Sequence, residues 1–117
     1  MMLFIIFYIN NMKKIIYNGI NIIVGQNAQE NWELLDNNEH YLWFHLRSFP
    51  SCFVVIEYET PDNLTILEAA RICKENTKYR NLKNLKVNYT HIHNIRKVGK
   101  VGTVQFLSNR KVSTISI

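Results

Sequence analysis

The sequence predicts an α+β fold: a largely antiparallel β-sheet with one main amphipathic helix at about residues 65–78 and a short helix near 27–35. Three observations carry this. Asn18-Gly19 lies between two β-branched runs, and an Asn-Gly pair is the strongest short hairpin signal because both central turn positions need positive φ. Strand-like segments outnumber helical ones and are mostly joined by stretches short enough for turns, as antiparallel neighbours are. One long stretch alone combines helical periodicity with a start signal. At 117 residues and 13.9 kDa the chain has the length of one domain and is read as one, 1–117.

Met1 to Ile9 is nearly all apolar. It falls far short of the roughly 20 residues of a membrane span, and it lacks the basic leader and small-residue cleavage site of a signal peptide. Either Phe4 to Ile9 is a strand buried on both faces, the favoured reading, or residues 1–11 precede a translation start at Met12. Strands are expected at 14–17 and 20–24, on either side of Asn18-Gly19. Asn27 then caps a helix to Leu35, with Glu30 three residues on. Asp36 to Asn38 is a loop, and Tyr41 to Leu46 a short apolar strand. Arg47 to Ser51 turns at Pro50. In Cys52 to Tyr58 the residues Cys52, Val54, Ile56 and Tyr58 share one face while Phe53 and Val55 supply the other, which marks a central strand.

After Pro61-Asp62-Asn63, Thr65 and Glu68 fit a capping box that opens the main helix. On it Ile66, Ala69, Ala70, Cys73 and Thr77 gather on one face, and Arg71, Lys74 and Lys78 on another. Leu85 to Thr90 alternates as a strand. Ile92 to Lys100 is basic, with Arg96, Lys97 and Lys100. Thr103 to Leu107 and Lys111 to Ile117 are expected to form a closing hairpin around Ser108-Asn109.

Composition narrows function. An apolar fraction of 47% excludes a disordered chain, and two cysteines exclude a disulfide scaffold or a four-cysteine zinc site and suggest a reducing, cytoplasmic compartment. The net charge of +5 is divided unevenly: residues 1–62 sum to −4 and residues 63–117 to +9. A half so basic seeks a polyanion, a partner surface or solvent, and composition favours nucleic acid. Gly99-Lys100-Val101-Gly102 is too short for a phosphate-binding Walker loop. His91 and His93 share one side of a strand, and with His45 they are the ligands a small metal-dependent hydrolase would need, but no carboxylate accompanies them and two ordinary polar residues are the simpler reading. Cys52 and Cys73 fall on apolar faces and read as small hydrophobes. Trp43 and His45 share a face opposite Phe44. They either offer stacking and hydrogen-bonding surface to a nucleotide, or Trp43 is a core aromatic with a satisfied N–H.

Ile23 to Asn31, with Gly25-Gln26-Asn27 and Asn31, followed by Leu42-Trp43-Phe44-His45, resembles the NFACT-R domain family. That family carries Gly-[Lys/Arg]-Asn-x-x-x-Asn, Asp-x-Trp-Phe-His and Pro-Gly-Ser-His-Val. Thr65 to Ala70, Val87 to Thr90, Lys97 and Gly102-Thr103-Val104 resemble its later elements, so the likeness runs over about residues 15–117. Tyr41 replaces the family's Asp; Ser51, Cys52 and Phe53 replace its Gly, Ser and His; Gln26 replaces its basic residue. The resemblance implies RNA binding, in a family whose long members act in ribosome-associated quality control. It implies roles for Trp43 and His45, and for Arg96 and Lys97 in the basic segment.

The reading is therefore a non-enzymatic nucleic-acid-binding module for structured RNA, tRNA or rRNA, in a translation or ribosome-associated quality-control context. Its expected contacts are Trp43, His45, Arg47, Arg71, Lys74, Lys78, Arg96, Lys97 and Lys100. No cofactor, metal or membrane partner is expected; DNA and ribosomal or translation proteins are further partners the charge allows. The alternative is a protein-interaction adaptor in which the acidic and basic halves each take a partner.

Overall fold

The computed structural model describes residues 4–9 and 12–117. Expectations for residues 1–3 and 10–11 lie outside these. β1 (Phe4–Ile9), β2 (Met12–Tyr17), β3 (Ile20–Val24), β4 (Leu42–Leu46), β5 (Val54–Ile56), β6 (Lys86–His91) and β9 (Ser113–Ser116) form a seven-stranded sheet in the order β1-β2-β3-β5-β4-β6-β9. β7 (Ile95–Lys97) and β8 (Val104–Phe106) form a two-stranded antiparallel sheet. Two α-helices, α1 (Ala28–Leu34) and α2 (Asn63–Glu75), complete the α+β architecture the sequence predicts. All pairings in the large sheet are antiparallel.

The hairpin turn has the backbone that its residues require: φ is +50° at Asn18 and +79° at Gly19. Side chains alternate through the sheet, and both faces are covered. Tyr17, Ile22, Val24, Phe44, Val54, Ile56 and Val87 pack one face against Ala69, Ala70, Ile72 and Cys73 of α2. Ile23, Trp43, Phe53 and Val55 pack the other against Leu34 of α1 and against Ile95, Val104 and Phe106 of the small sheet. β5 sits between β3 and β4, the central place that its two-sided apolar pattern demands.

Three expectations are corrected. β1 is an edge strand rather than one buried on both faces, with Ile6 55% exposed. α2 starts before Thr65, because Asp62 is the N-cap: its Oδ1 accepts from Thr65 N at 2.9 Å and from Thr65 Oγ1 at 2.7 Å. Thr65 thus occupies the third helical position, 2% exposed, and the helix ends at Glu75. β8 pairs back with β7, and β9 crosses to the edge of the large sheet beside β6, so there is no hairpin around Ser108-Asn109. The physical reason lies at two glycines. Gly99 (φ +55°) and Gly102 (φ +92°) supply left-handed backbone for a tight turn. Asn94, 2% exposed, holds residue 108 in place: it donates to Ser108 O at 2.9 Å and accepts from Ser108 N at 2.9 Å.

Candidate nucleic-acid interface

The Gly25-x-Asn27-x-x-x-Asn31 element forms a joint. Asn27 caps α1, its Oδ1 accepting from Glu30 N at 2.9 Å, while Glu30 Oε1 accepts from Gln26 N at 2.9 Å. This is the expected capping box with the reach-back made one residue earlier. Gly25 N donates to Phe53 O at 3.0 Å, and Phe53 N donates to Asn31 Oδ1 at 3.0 Å. A Cβ at Gly25 would run into the Asn31 side-chain oxygen and backbone. The three motif residues therefore lock the end of β3, the start of α1 and the entry to β5 together.

The small sheet docks on α1 through named contacts. Trp32 Nε1 donates to Thr103 O at 3.0 Å. Lys97 Nζ lies 2.8 Å from Asp36 Oδ1 and 5.7 Å from the centre of the Trp32 ring. Gly102 is so close to Ala28 that a Cβ would meet its side chain at 2.9 Å. This docking carries the turn 98–103 to the side of the joint.

Between them opens a groove of about 1120 Å³, bounded by residues 24–28 at the joint, 50–52 before β5, 76–78 after α2, and 100–103 at the turn. Its wall carries formal charge of one sign, from Lys78 and Lys100, among polar groups including Gln26, Asn27 and Thr103. Lys13 Nζ, 3.3 Å from Asn76 Oδ1, adds a third cation beside it. The groove is thus a cationic channel of mixed polar and apolar lining, without a carboxylate among its described lining residues, suited to a phosphate backbone.

Of the expected contact residues, the fold brings Lys78 and Lys100 to one groove. Lys78 is exposed, its ammonium 5.4 Å from the centre of the Tyr79 ring. The others lie elsewhere. Arg71 is 3.9 Å from Glu68 on its own helix, and Lys74 Nζ donates to Ile117 O at 3.1 Å. Arg96 donates to Gln105 Oε1 at 3.3 Å, and Arg47 is exposed at the end of β4. Lys97 is paired with Asp36. Of the expected stripe, Arg71 and Lys74 thus have partners on α2 and at residue 117, while Lys78 lines the groove.

Trp43 is corrected most sharply. It is 1% exposed, stacked on His45 at 5.7 Å between ring centres, and met edge-on by Phe53 at 5.2 Å and Phe106 at 5.6 Å. It offers no face to a base, because the small sheet covers the side the sequence leaves open. As a core aromatic it also departs from expectation: its Nε1 is buried without a hydrogen-bond partner. His45 lies half-buried over it, and burial lowers the imidazole pKa against the raising effect of a Leu46 backbone hydrogen bond. Tyr41 and Phe53, both departures from the family pattern, join the same apolar cluster.

The three histidines of the hydrolase reading do not converge. His45 is paired with Asn88 and His91 with Leu42, which places them on opposite faces of the sheet. His91 stacks on His93 at 5.2 Å instead. Sequence reasoning missed Lys13, Gln26, Asn27, Asn76 and Thr103 as groove residues. The Gly-x-Asn motif marked two of them; nothing local marks the rest.

Comparison with known proteins agrees with the resemblance read from Gly25-x-Asn27 and Trp43-Phe44-His45. The family model for the NFACT protein RNA binding domain matches residues 4–108. The Rqc2 homolog RqcH of Bacillus subtilis (strain 168) is 33% identical over 98 residues, 80% of this chain and 17% of that protein. The solved C-terminal part of the fibronectin/fibrinogen-binding protein of Streptococcus suis matches with a TM-score of 0.77 and 27% identity, covering 84% of this chain and 40% of that one. The chain thus spans less than a fifth of the curated relative it matches and two fifths of the solved one.

Proposed function

Because the chain belongs to the NFACT protein RNA-binding domain family, we propose that it binds structured RNA, tRNA or rRNA, in a ribosome-associated quality-control setting, and that the groove beside the Gly25–Asn31 joint receives the phosphate backbone. The observation that carries the site is the charge of the groove: Lys78 and Lys100, distant in sequence, line one channel with Lys13 at its edge. Backbone contact by lysines gives affinity that falls with salt and carries little sequence preference, while shape and 2′-hydroxyl contacts separate RNA from DNA. Burial disfavours the charged form of His45, which argues against it as a phosphate contact, and Trp43 supports the sheet rather than a base. A cytoplasmic location suits such a partner. Among the described residues no helix is long and apolar enough to cross a membrane.

The test is fluorescence anisotropy of the full chain with tRNA, a ribosomal RNA stem-loop and duplex DNA at two salt concentrations. RNA is expected to bind more tightly than DNA and to weaken with salt. Lys78→Ala with Lys100→Ala should flatten the log–log salt slope by about 1.4–1.8 units, since each phosphate contact contributes about 0.7–0.9. An unchanged slope in that double variant moves the interface away from the groove. Salt-independent capture of a translation protein, without RNA, would favour the adaptor reading instead.

A further inference from the structure

The groove wall also holds a pair of thiols. Cys52 lines the groove, and Cys73 of α2 lies fully buried behind it. The two are interlocked: Cys52 Sγ is 4.0 Å from Cys73 O, and Cys73 Sγ is 3.8 Å from Cys52 O. Ser51 Oγ lies 3.8 Å from Cys73 Sγ. Both are free thiols. Each sulfur sits about 4 Å from the carbonyl oxygen of the other residue, which sets the two side chains side by side.

We propose that Cys52 and Cys73 form an oxidisable dithiol in which a hydroperoxide attacks at Cys52 and Cys73 closes an intramolecular disulfide. The Cys52 sulfur, as thiolate, takes one oxygen from the peroxide. The O–O bond breaks, two electrons pass from sulfur to oxygen, and the departing oxygen leaves as water or alcohol with the proton Cys52 gave up. Cys73 Sγ then attacks the sulfenic sulfur of Cys52. The S–S bond forms, the S–O bond breaks, and hydroxide leaves as water with the Cys73 proton. The hydroperoxide is reduced and the two thiols are oxidised, two electrons in all.

The environment divides the roles. The hydrogen bond from Cys73 lowers the Cys52 pKa from its ordinary value, against burial, with Lys13 assisting; the same bond and burial raise Cys73 well above its own. The groove-side sulfur is therefore the better thiolate, and the buried one holds its proton until the second step. In a reducing compartment such a bond is transient and serves as a sensor. It would tie the entry of β5 to the last turns of α2 across 21 residues of sequence. Nothing in this requires RNA to bind, so its failure and that of the RNA reading are separately visible.

The experiment treats the reduced full chain with hydrogen peroxide and reads the intact mass, the free thiols and a non-reducing peptide map. Expected are loss of two hydrogens per chain, a Cys52–Cys73 cross-linked peptide, a higher melting midpoint, and reversal by a dithiol reductant. In Cys73→Ala the sulfenic acid at Cys52 should persist and be captured by dimedone. Should that variant fail to fold, the wild-type peptide map decides alone. Cys52 carrying added oxygens with Cys73 still free, dimers joined through Cys52, or two thiols that survive peroxide while the urea-unfolded chain reacts would each overturn the proposal.

Discussion

Replacing Trp43 separates a core role from a nucleotide platform. At 1% exposure, enclosed by His45, Phe53 and Phe106, the indole fills the space between the large sheet and the β7–β8 hairpin. Trp43→Ala leaves a cavity that rigid strands on one side and a docked hairpin on the other cannot close, so it should cost about 3–5 kcal/mol. With a urea m-value of about 2 kcal/mol/M for a chain of this size, the midpoint should fall by about 1.5–2.5 M. Trp43→Phe is the informative partner. It loses part of the ring but also removes an N–H buried without a partner, a group whose desolvation costs about 1–3 kcal/mol. The two changes offset, and stability should stay within about 1 kcal/mol of the parent. Urea titration followed by the fluorescence of Trp32, which both variants keep, reads the midpoint. RNA affinity of folded Trp43→Phe should match the parent. A Trp43→Ala protein with an unchanged midpoint and an RNA affinity weaker by about 1–3 kcal/mol would refute the argument and return the ring to the surface as a stacking platform.

Other perturbations test the joint and the turn. Gly102→Ala places a methyl against Ala28 on left-handed backbone, so it should undock the turn bearing Lys100; RNA affinity should drop several-fold while α2 and the large sheet keep their hydrogen-exchange protection. Gly25→Ala should lower the melting midpoint more than Gly102→Ala, because its methyl meets the backbone and side chain of Asn31 inside the joint; equal midpoints would show the joint to be soft. His45 has a folded pKa below its unfolded value of about 6.5. Its contribution to stability is complete above that value and is lost as pH falls through it toward the folded pKa, so melting midpoints should decline on acidification from pH ~7 to ~5. His45→Gln should flatten that decline, and an identical pH profile would assign it to other groups.

What was readable in the chain follows from the range of the forces involved. Asn18-Gly19 declared its turn because the required φ is a property of those two residues. The strand 54–56 declared its central place because both faces are apolar within three residues. The Thr65–Glu68 pair places the start of α2 too late, because Asp62 carries the same capping chemistry three residues earlier. The choice fell to the buried position of Thr65, which packing decides. The partner of β8 is misplaced because Ser108-Asn109 offers a local turn signal between two strand-like runs, whereas the turn at Gly99 and Gly102 and the buried Asn94 that fixes residue 108 take effect only in the packed chain. Period-two alternation placed Trp43 opposite Phe44 correctly, but the hairpin that covers Trp43 comes some fifty residues later in the chain. Lys78 and Lys100 share a groove for the same reason: α2 and the small sheet are brought together by packing on different faces and ends of one sheet, and no local pattern records that.

The edge strand β9 bears on how the protein behaves at high concentration. Its outer backbone groups face away from β6, and its exposed side chains, Ser113, Thr114 and Ser116, are small and polar rather than apolar. Such an edge invites a second copy, and two exposed cations just before it, Arg110 and Lys111, set like charges against like when copies approach. Salt screens that repulsion. Raising ionic strength should therefore push the molecule toward self-pairing in the same range in which it releases RNA, so that solubility and nucleic-acid affinity decline together.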